Sequence, residues 1–334
     1  MVRVSTDTDP GFGERRGEFG PGEMPEEYRQ PEVDEEYRGL GTRLVEGILG
    51  DKMALFGAII VLLFVLTAAF APFIAPHGQE ERFGFMKEPG QYSTGDFDGD
   101  GETERVFHPL GTDSFGHDIL SRLIYGARVS LLVALATLAV SLTIGTTIGV
   151  LAGYYGGVID SLLMRYVDFQ WAFPELILGV GIIAVSGGLG VTNVIIAIGI
   201  AYIDDFARLV RGEILSIREE EYITAARAIG MNDARIMGRE MLPNAVAPII
   251  VQATLMIPLA ILAEAGLSFL GLGVKPTTPT WGLLLSQGRD FISRAWWISV
   301  MPGLAIMVTV LAFNMFGDGL RDAFDISEGE VEER

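Results

Sequence analysis

The chain has 334 residues, 49% of them hydrophobic, with a mean hydropathy of +0.38 and a formal net charge of −19. Its three lysines, Lys52, Lys87 and Lys275, and its surplus of carboxylates exclude the basic footprint that nucleic acid requires. The lack of cysteine excludes disulfides, thiolate metal sites and cysteine nucleophiles.

Positive hydropathy and abundant charge coexist because they are segregated. Charge crowds the first fifty residues, the stretch 77–118 and the C-terminal tail, and long apolar runs fill much of the remainder. That pattern belongs to a polytopic, all-α membrane protein. The acidity reads as adaptation to high salt, in which carboxylates keep the surface hydrated, with a dedicated acidic interaction surface as the alternative.

Residues 1–45 are rich in Gly, Pro, Glu and Asp and show no apolar period, so a disordered acidic tail is expected there, on the cytoplasmic side. No signal peptide is legible, because a long acidic segment precedes the first apolar run. A helix crossing the hydrocarbon core needs about 20 apolar residues, and about six stretches qualify. The first domain segment, 46–76, holds a span from Met53 to Ala75, and an extracytoplasmic loop follows at 77–127. A core of five further spans is expected over 128–320, and a cytoplasmic tail over 321–334.

The second span, Val129 to Ala152, has Gly145 and Gly149 four residues apart, with Gly153 following. That spacing lays a flat stripe on one helix face. The third, Tyr166 to Val185, contains Asp168, Pro174 and Glu175 and should be kinked and protein-facing. The fourth, Val191 to Ala207, is short and ends at Asp204-Asp205. The fifth runs from Ala245 to Leu270 and contains Glu264, and the sixth runs from Trp296 to Phe316 behind an interfacial Trp296-Trp297 pair. Arg208, Arg211, Arg218, Arg227, Arg235 and Arg239 lie between the fourth and fifth spans, which predicts a cytoplasmic loop there and both termini inside. The outer loop holds Arg82, Lys87, Arg105 and Arg122, so the charge bias is not one-sided.

The loop at 215–243 reads as two short helices. Glu219, Glu220 and Glu221 suit the positive end of a helix dipole, and Thr224, Ala225, Ala226 and Ala228 give a small-residue surface. Gly230 supplies a left-handed cap, and Asn232-Asp233 opens a second helix running to about Met241. Pro243 ends it and starts the fifth span. A small-residue face lets another protein's backbone approach closely, although an amphipathic linker would have the same pattern.

The run Glu221-x-x-x-Ala225-Ala226-x-x-x-Gly230, followed by Leu242-Pro243-Asn244, resembles the EAA loop of ABC importer permeases. The resemblance implies that Glu221, Ala225, Ala226, Gly230 and Pro243 lie at the contact with an ATPase subunit. Glu240 stands where the family often has His, two residues before the Leu-Pro. His108-Pro-Leu-Gly-Thr-Asp113, Asp118-Ile-Leu-Ser-Arg122, Gly153-Tyr-Tyr-Gly-Gly157, Leu267-Ser-Phe-Leu-Gly271 and Asn314-Met-Phe-Gly-Asp-Gly-Leu-Arg321 look like the dipeptide/oligopeptide (nickel) branch, C-type permease subunit. The resemblance covers about residues 45–325. It implies a MetI-like helical fold, a homologous second (B-type) permease, one or two ABC ATPase subunits carrying ATP and Mg2+, and an extracytoplasmic substrate-binding protein.

None of the three lysines is followed by Ser or Thr, so the chain has no phosphate-cradling GxxxxGK[ST] loop, and hydrolysis must come from a partner. No GxSxG or HExxH motif supports a membrane hydrolase. The remaining alternative is a stand-alone proton-coupled carrier using Asp168, Glu175 and Glu264, which are also the candidates for a polar translocation path. Asp96, Asp98, Asp100 and Glu102, with Gly101 at the sixth position, resemble the first half of a calcium loop over 96–107. Phe107 stands at the twelfth position, where that loop needs Glu, so calcium binding and a solvated acidic loop are both open. His77, His108 and His117 are too scattered along the chain to read as a zinc site.

Overall fold

A computed structural model describes residues 45–332 except 46, 98 and 100, with side chains described to 324. The N-terminal tail to residue 44 and the calcium candidates Asp98 and Asp100 therefore lie outside it. Helix α1 (Lys52–Ala69) begins where Asp51 accepts hydrogen bonds from the backbone N–H groups of Met53 and Ala54, at 2.9 and 3.2 Å. A one-turn helix, α2 (Ala71–Ile74), follows. The next segment, 77–118, is a folded cap built on an antiparallel hairpin, β1 (Gln91–Gly95) and β2 (Glu104–His108), with Gln91 opposite His108 and Gly95 opposite Glu104.

Helix α3 (Ile119–Tyr155) is the backbone of the molecule. It starts ten residues before the predicted span because Asp118 caps it and its first turns are held inside the cap. Helices α4 (Gly157–Trp171) and α5 (Glu175–Val185) meet at 94°. The kinked third span is thus a right-angle break. Pro174 has no N–H for a continuing helix, and the residue before a proline is driven out of the α region.

The fourth span is corrected in a similar way. Helix α6 (Val191–Ala201) stops at Tyr202, and Asp204 and Asp205 occupy the first turn of a new helix, α7 (Ile203–Arg218), where the dipole favours carboxylates. Helix α8 (Glu221–Ala228), a short turn α9 (Asp233–Arg235) and a π-helical stretch (Ile236–Met241) form the 215–243 loop. Then come α10 (Val246–Phe269), α11 (Trp281–Gly288) and α12 (Trp297–Glu332). Among the described residues, α1, α3, α10 and α12 are long and apolar enough to cross a membrane, and the bent α4–α5 pair adds a fifth candidate.

The glycine stripe on α3 meets α7. A Cβ on Gly145 would lie 2.6 Å from the Ile203 carbonyl, on Gly149 2.7 Å from the Ala207 carbonyl, and on Gly153 2.8 Å from Ile214. The two backbones touch, leaving no room for any side chain. A second core is centred on α11. Trp281 packs on Phe64 with ring centroids 5.1 Å apart and donates its indole N–H to the Leu123 carbonyl at 2.9 Å. Glu264 is buried in α10, where one carboxylate oxygen accepts from the hydroxyls of Ser268 at 2.7 Å and Thr280 at 2.8 Å. Thr280 caps α11, so the carboxylate fixes where that helix begins.

The cap is bolted to this frame by buried polar groups. Arg122 Nη1 donates to Asp113 Oδ2 at 2.5 Å and to Gln287 Oε1 at 3.1 Å. Asp113 also accepts from the His117 backbone at 2.9 Å, and its other oxygen lies 3.0 Å from His117 Nδ1. Trp297 is buried and donates to the Thr112 carbonyl at 3.2 Å, so of the tryptophan pair expected at the interface, Trp296 alone is exposed. Burial alone would push the Asp113 carboxyl up. The hydrogen bonds from His117 and the charge of Arg122 outweigh it and hold the group below its ordinary 3.8.

Two measurements test these contacts. Gly149→Ala should lower stability in detergent by about 1–2 kcal/mol, the overpacking cost less the gain in helix propensity. Gly212→Ala, where a Cβ meets nothing within 4 Å, should raise it by about 0.5–1 kcal/mol. Because the Asp113 carboxyl is depressed in the fold, its stabilisation is complete above the ordinary value and is lost as pH falls through the folded one. Asp113→Asn should therefore cost about 3 kcal/mol at pH 7, and the gap to the parent chain should begin to narrow in denaturation curves as pH falls below about 4.

Candidate functional site: the α8–α9 loop

The loop stands at the far end of α3 from the cap. Helix α8 ends in a Schellman motif: the Met231 N–H donates to the Ala226 carbonyl at 3.1 Å, and the Gly230 N–H donates to the Arg227 carbonyl at 3.0 Å. Gly230 has φ of +80°, the left-handed conformation expected of it. Asn232 caps the next turn, its side-chain oxygen accepting from the Arg235 N–H at 2.9 Å. A reversal of chain direction is thus set by local hydrogen bonds alone.

Two residues pin α8 to the body: Ile223 and Ala226 are buried against Tyr154, Ile214, Ile236 and Met241. Glu221, Thr224, Ala225, Ala228 and Gly230 point outward with Ile229, which is 78% exposed. Of the predicted contact residues, Glu221, Ala225 and Gly230 therefore share an accessible face, Ala226 faces the core, and Pro243 is exposed in the turn before α10. Asn244, beside it, donates to the Tyr222 hydroxyl at 3.2 Å, closing the loop's two ends together.

Tyr154 is the residue that sequence reasoning missed. It sits one place before the end of α3, is 8% exposed, and donates its hydroxyl to Asp233 Oδ1 at 2.7 Å. The Arg227 guanidinium lies 5.2 Å from its ring centroid. One side chain of α3 thus holds both halves of the loop. The Gly-Tyr-Tyr-Gly run flagged the position but not its partners, which lie 73 and 79 residues away.

The three candidate path carboxylates have different surroundings. Glu264 is enclosed by its hydroxyl donors, and Asp168 is exposed and faces Arg208 at 3.2 Å. Glu175 lines a groove of about 530 Å³ at the α4–α5 break with Gln170, Trp171, Pro174 and Asp204. Gln170 Nε2 donates to Asp204 Oδ1 there at 3.1 Å. Asp168 and Glu175 thus lie near the same Arg208–Asp204 cluster, while the hydroxyl partners of Glu264 are on α10 and at the start of α11. In the hairpin loop, Asp96 accepts from the N–H groups of Gly99 at 2.7 Å and Gly101 at 3.0 Å, so its carboxylate already serves the turn.

Residues 145–327 match the family described as "Binding-protein-dependent transport system inner membrane component". The chain belongs to that family. Residues 48–89 also match the N-terminal TM domain of oligopeptide transport permease C. The family region begins at Gly145 and so takes in the α3–α7 contact and the whole α8–α9 loop. The di/tripeptide transport system permease protein DppC of Pseudomonas aeruginosa is 45% identical over 276 residues, covering 82% of this chain and 88% of that protein. The dipeptide transport system permease protein DppC of Alkalihalophilus pseudofirmus is 42% identical, covering 90% and 95%. The glutathione transport system permease protein GsiD of Escherichia coli is 43% identical, covering 82% and 86%. The fold resembles that of a chain in the inward-facing MetNI methionine ABC transporter, with a TM-score of 0.51 and 20% identity over 60% of this chain and 96% of that one.

If Tyr154 is what anchors the family's loop here, Tyr154→Phe should weaken it locally by about 1 kcal/mol, the worth of one such hydrogen bond. Amide hydrogen exchange across residues 232–241 should accelerate about fivefold, with α3 itself unchanged.

Proposed function

We propose that this chain is the C-type permease subunit of an ATP-driven importer of dipeptides or oligopeptides, in a cell membrane. Two relatives whose names describe dipeptide or tripeptide transport match over more than four fifths of both chains, which supports this reading. The pore forms with a homologous second permease. A substrate-binding protein delivers the peptide from outside, and one or two ATPase subunits supply the hydrolysis that this chain has no phosphate loop to perform. The arginines of 208–239 orient the α8–α9 loop to the cytoplasm and the cap to the outside.

The observation that carries this reading is the division of α8 into a pinned edge and a bare one. Ile223 and Ala226 lock it to α3 and α7, and Glu221, Ala225, Ile229 and Gly230 are left for a partner. An ATPase pushing on the bare edge moves α3 and α7 as one body, because the glycine stripe welds them. Rocking of that body against the second permease alternates access to the pore. The lone-carrier reading needs Asp168, Glu175 and Glu264 to act along one path, and the enclosure of Glu264 by Ser268 and Thr280 weighs against it.

Substitution at adjacent alanines tests the proposal. Ala225→Arg should leave the unfolding temperature of the purified chain unchanged and reduce co-purification of the Walker-motif ATPase at least tenfold. Ala226→Arg should instead destabilise the chain itself, by about 3 kcal/mol or more for a charge forced into the core. A stable homo-oligomer without ATPase, indifferent to Ala225→Arg, would favour the carrier.

A further inference from the structure

The cap brings together three groups that are far apart in sequence. His77 follows α2, His108 ends β2, and Asp118 caps α3. Their candidate ligand atoms all lie within 4.8 Å of one another. His108 and Asp118 are fully buried, and the His77 side chain is 19% exposed. We propose that His77, His108 and Asp118 form a binding site for a divalent transition-metal ion of the zinc type, which staples the cap to the start of α3.

Asp118 and His108 are each oriented by a second partner, as such sites require, and His77 is held through its backbone. The Asp118 oxygen that would not bind metal, Oδ2, accepts from both the backbone N–H and the hydroxyl of Ser121, each at 2.8 Å. The same Ser121 hydroxyl accepts from the His77 backbone N–H at 3.1 Å, which sets His77 beside the carboxylate. His108 Nε2 lies 3.0 Å from the Ser93 hydroxyl. Phe83 packs on both rings, with centroids 4.5 Å from His77 and 5.2 Å from His108, and gives the site an apolar wall.

Without metal, His108 Nδ1–H donates to Asp118 Oδ1 across 2.9 Å and Nε2 accepts from Ser93. Metal binding needs the other tautomer. The single ring proton moves to Nε2, Ser93 turns from donor to acceptor, and Nδ1 and Oδ1 both face the ion. The heavy atoms stay in place through this exchange, since a serine hydroxyl serves either role.

Ligands about 2.0–2.1 Å from one tetrahedral ion stand about 3.4 Å apart, so a pair at the 4.8 Å limit must close by roughly 1.4 Å. His77 can supply that movement. Its nearest carboxylate outside the cluster, Glu81 Oε2, stands 4.0 Å from its Nδ1, beyond hydrogen-bond range, so no hydrogen bond to Glu81 restrains the ring. Two imidazoles with a carboxylate favour zinc and its neighbours over calcium or magnesium, which prefer oxygen alone.

The test compares the full chain with His77→Phe, which keeps a ring against Phe83 and removes the nitrogen ligand. Both are purified in detergent, stripped with chelator and titrated with Zn2+, then with Co2+ as a visible-absorption probe. The parent chain should bind one Zn2+ at least tenfold more tightly than the variant. It should also gain thermal stability with Zn2+ and show a nitrogen-ligated Co2+ spectrum that His77→Phe lacks. Comparable metal-free unfolding temperatures establish that the variant is folded. Equal Zn2+ affinity in the two chains, or the same Co2+ spectrum, would overturn the proposal and leave a His–Asp–Ser hydrogen-bond chain with adventitious binding to the acidic surface.

Discussion

The architecture depends on one close approach, that of α3 to α7. With no side chain at Gly145, Gly149 and Gly153, the two backbones are in van der Waals contact over about two helical turns. In a membrane no hydrophobic drive pulls helices together, because lipid tails are as apolar as leucine, so packing of this kind has to supply the cohesion. Everything at the loop end hangs on it: α8 is pinned to residues of α3 and α7, and Tyr154 reaches the loop from the last turn of α3. At the other end, Asp118 and Arg122 in the first turns of α3 hold the cap.

The stripe, the left-handed Gly230 and the Asn232 cap were all legible in the sequence because each depends on neighbours within one helical turn. The break at Pro174 was legible as a kink but not as a right angle, since the angle is set by what α4 and α5 pack against. The Asp204-Asp205 pair misled by its charge. It marked the end of an apolar run, and its location within the fold is the beginning of a helix. The hairpin in the cap escaped notice because Gln91–Gly95 and Glu104–His108 are short and polar, with little alternation to separate them from loop.

Side-chain partners were the least legible part. Glu264 invited a role in the translocation path, since buried carboxylates in spans are costly, but the sequence did not show the two hydroxyl donors through which it ties α10 to the start of α11. Ala225 and Ala226 are identical in sequence terms and opposite in the fold, one bare and one buried, because α8 turns about 100° per residue. His77 and His108 are 31 positions apart and meet only once β2 is paired. No spacing rule reaches that far.

The length of α3 has a mechanical consequence. Its 37 residues, rising about 1.5 Å each, make a rod of about 55 Å held at one end by the loop and at the other by the cap. A tilt of about 5° imposed at Tyr154 would sweep the Asp118 end through about 5 Å, roughly the pitch of one helical turn. A small displacement at one surface of the bilayer thus arrives at the other as a step large enough to exchange one set of side-chain neighbours for the next.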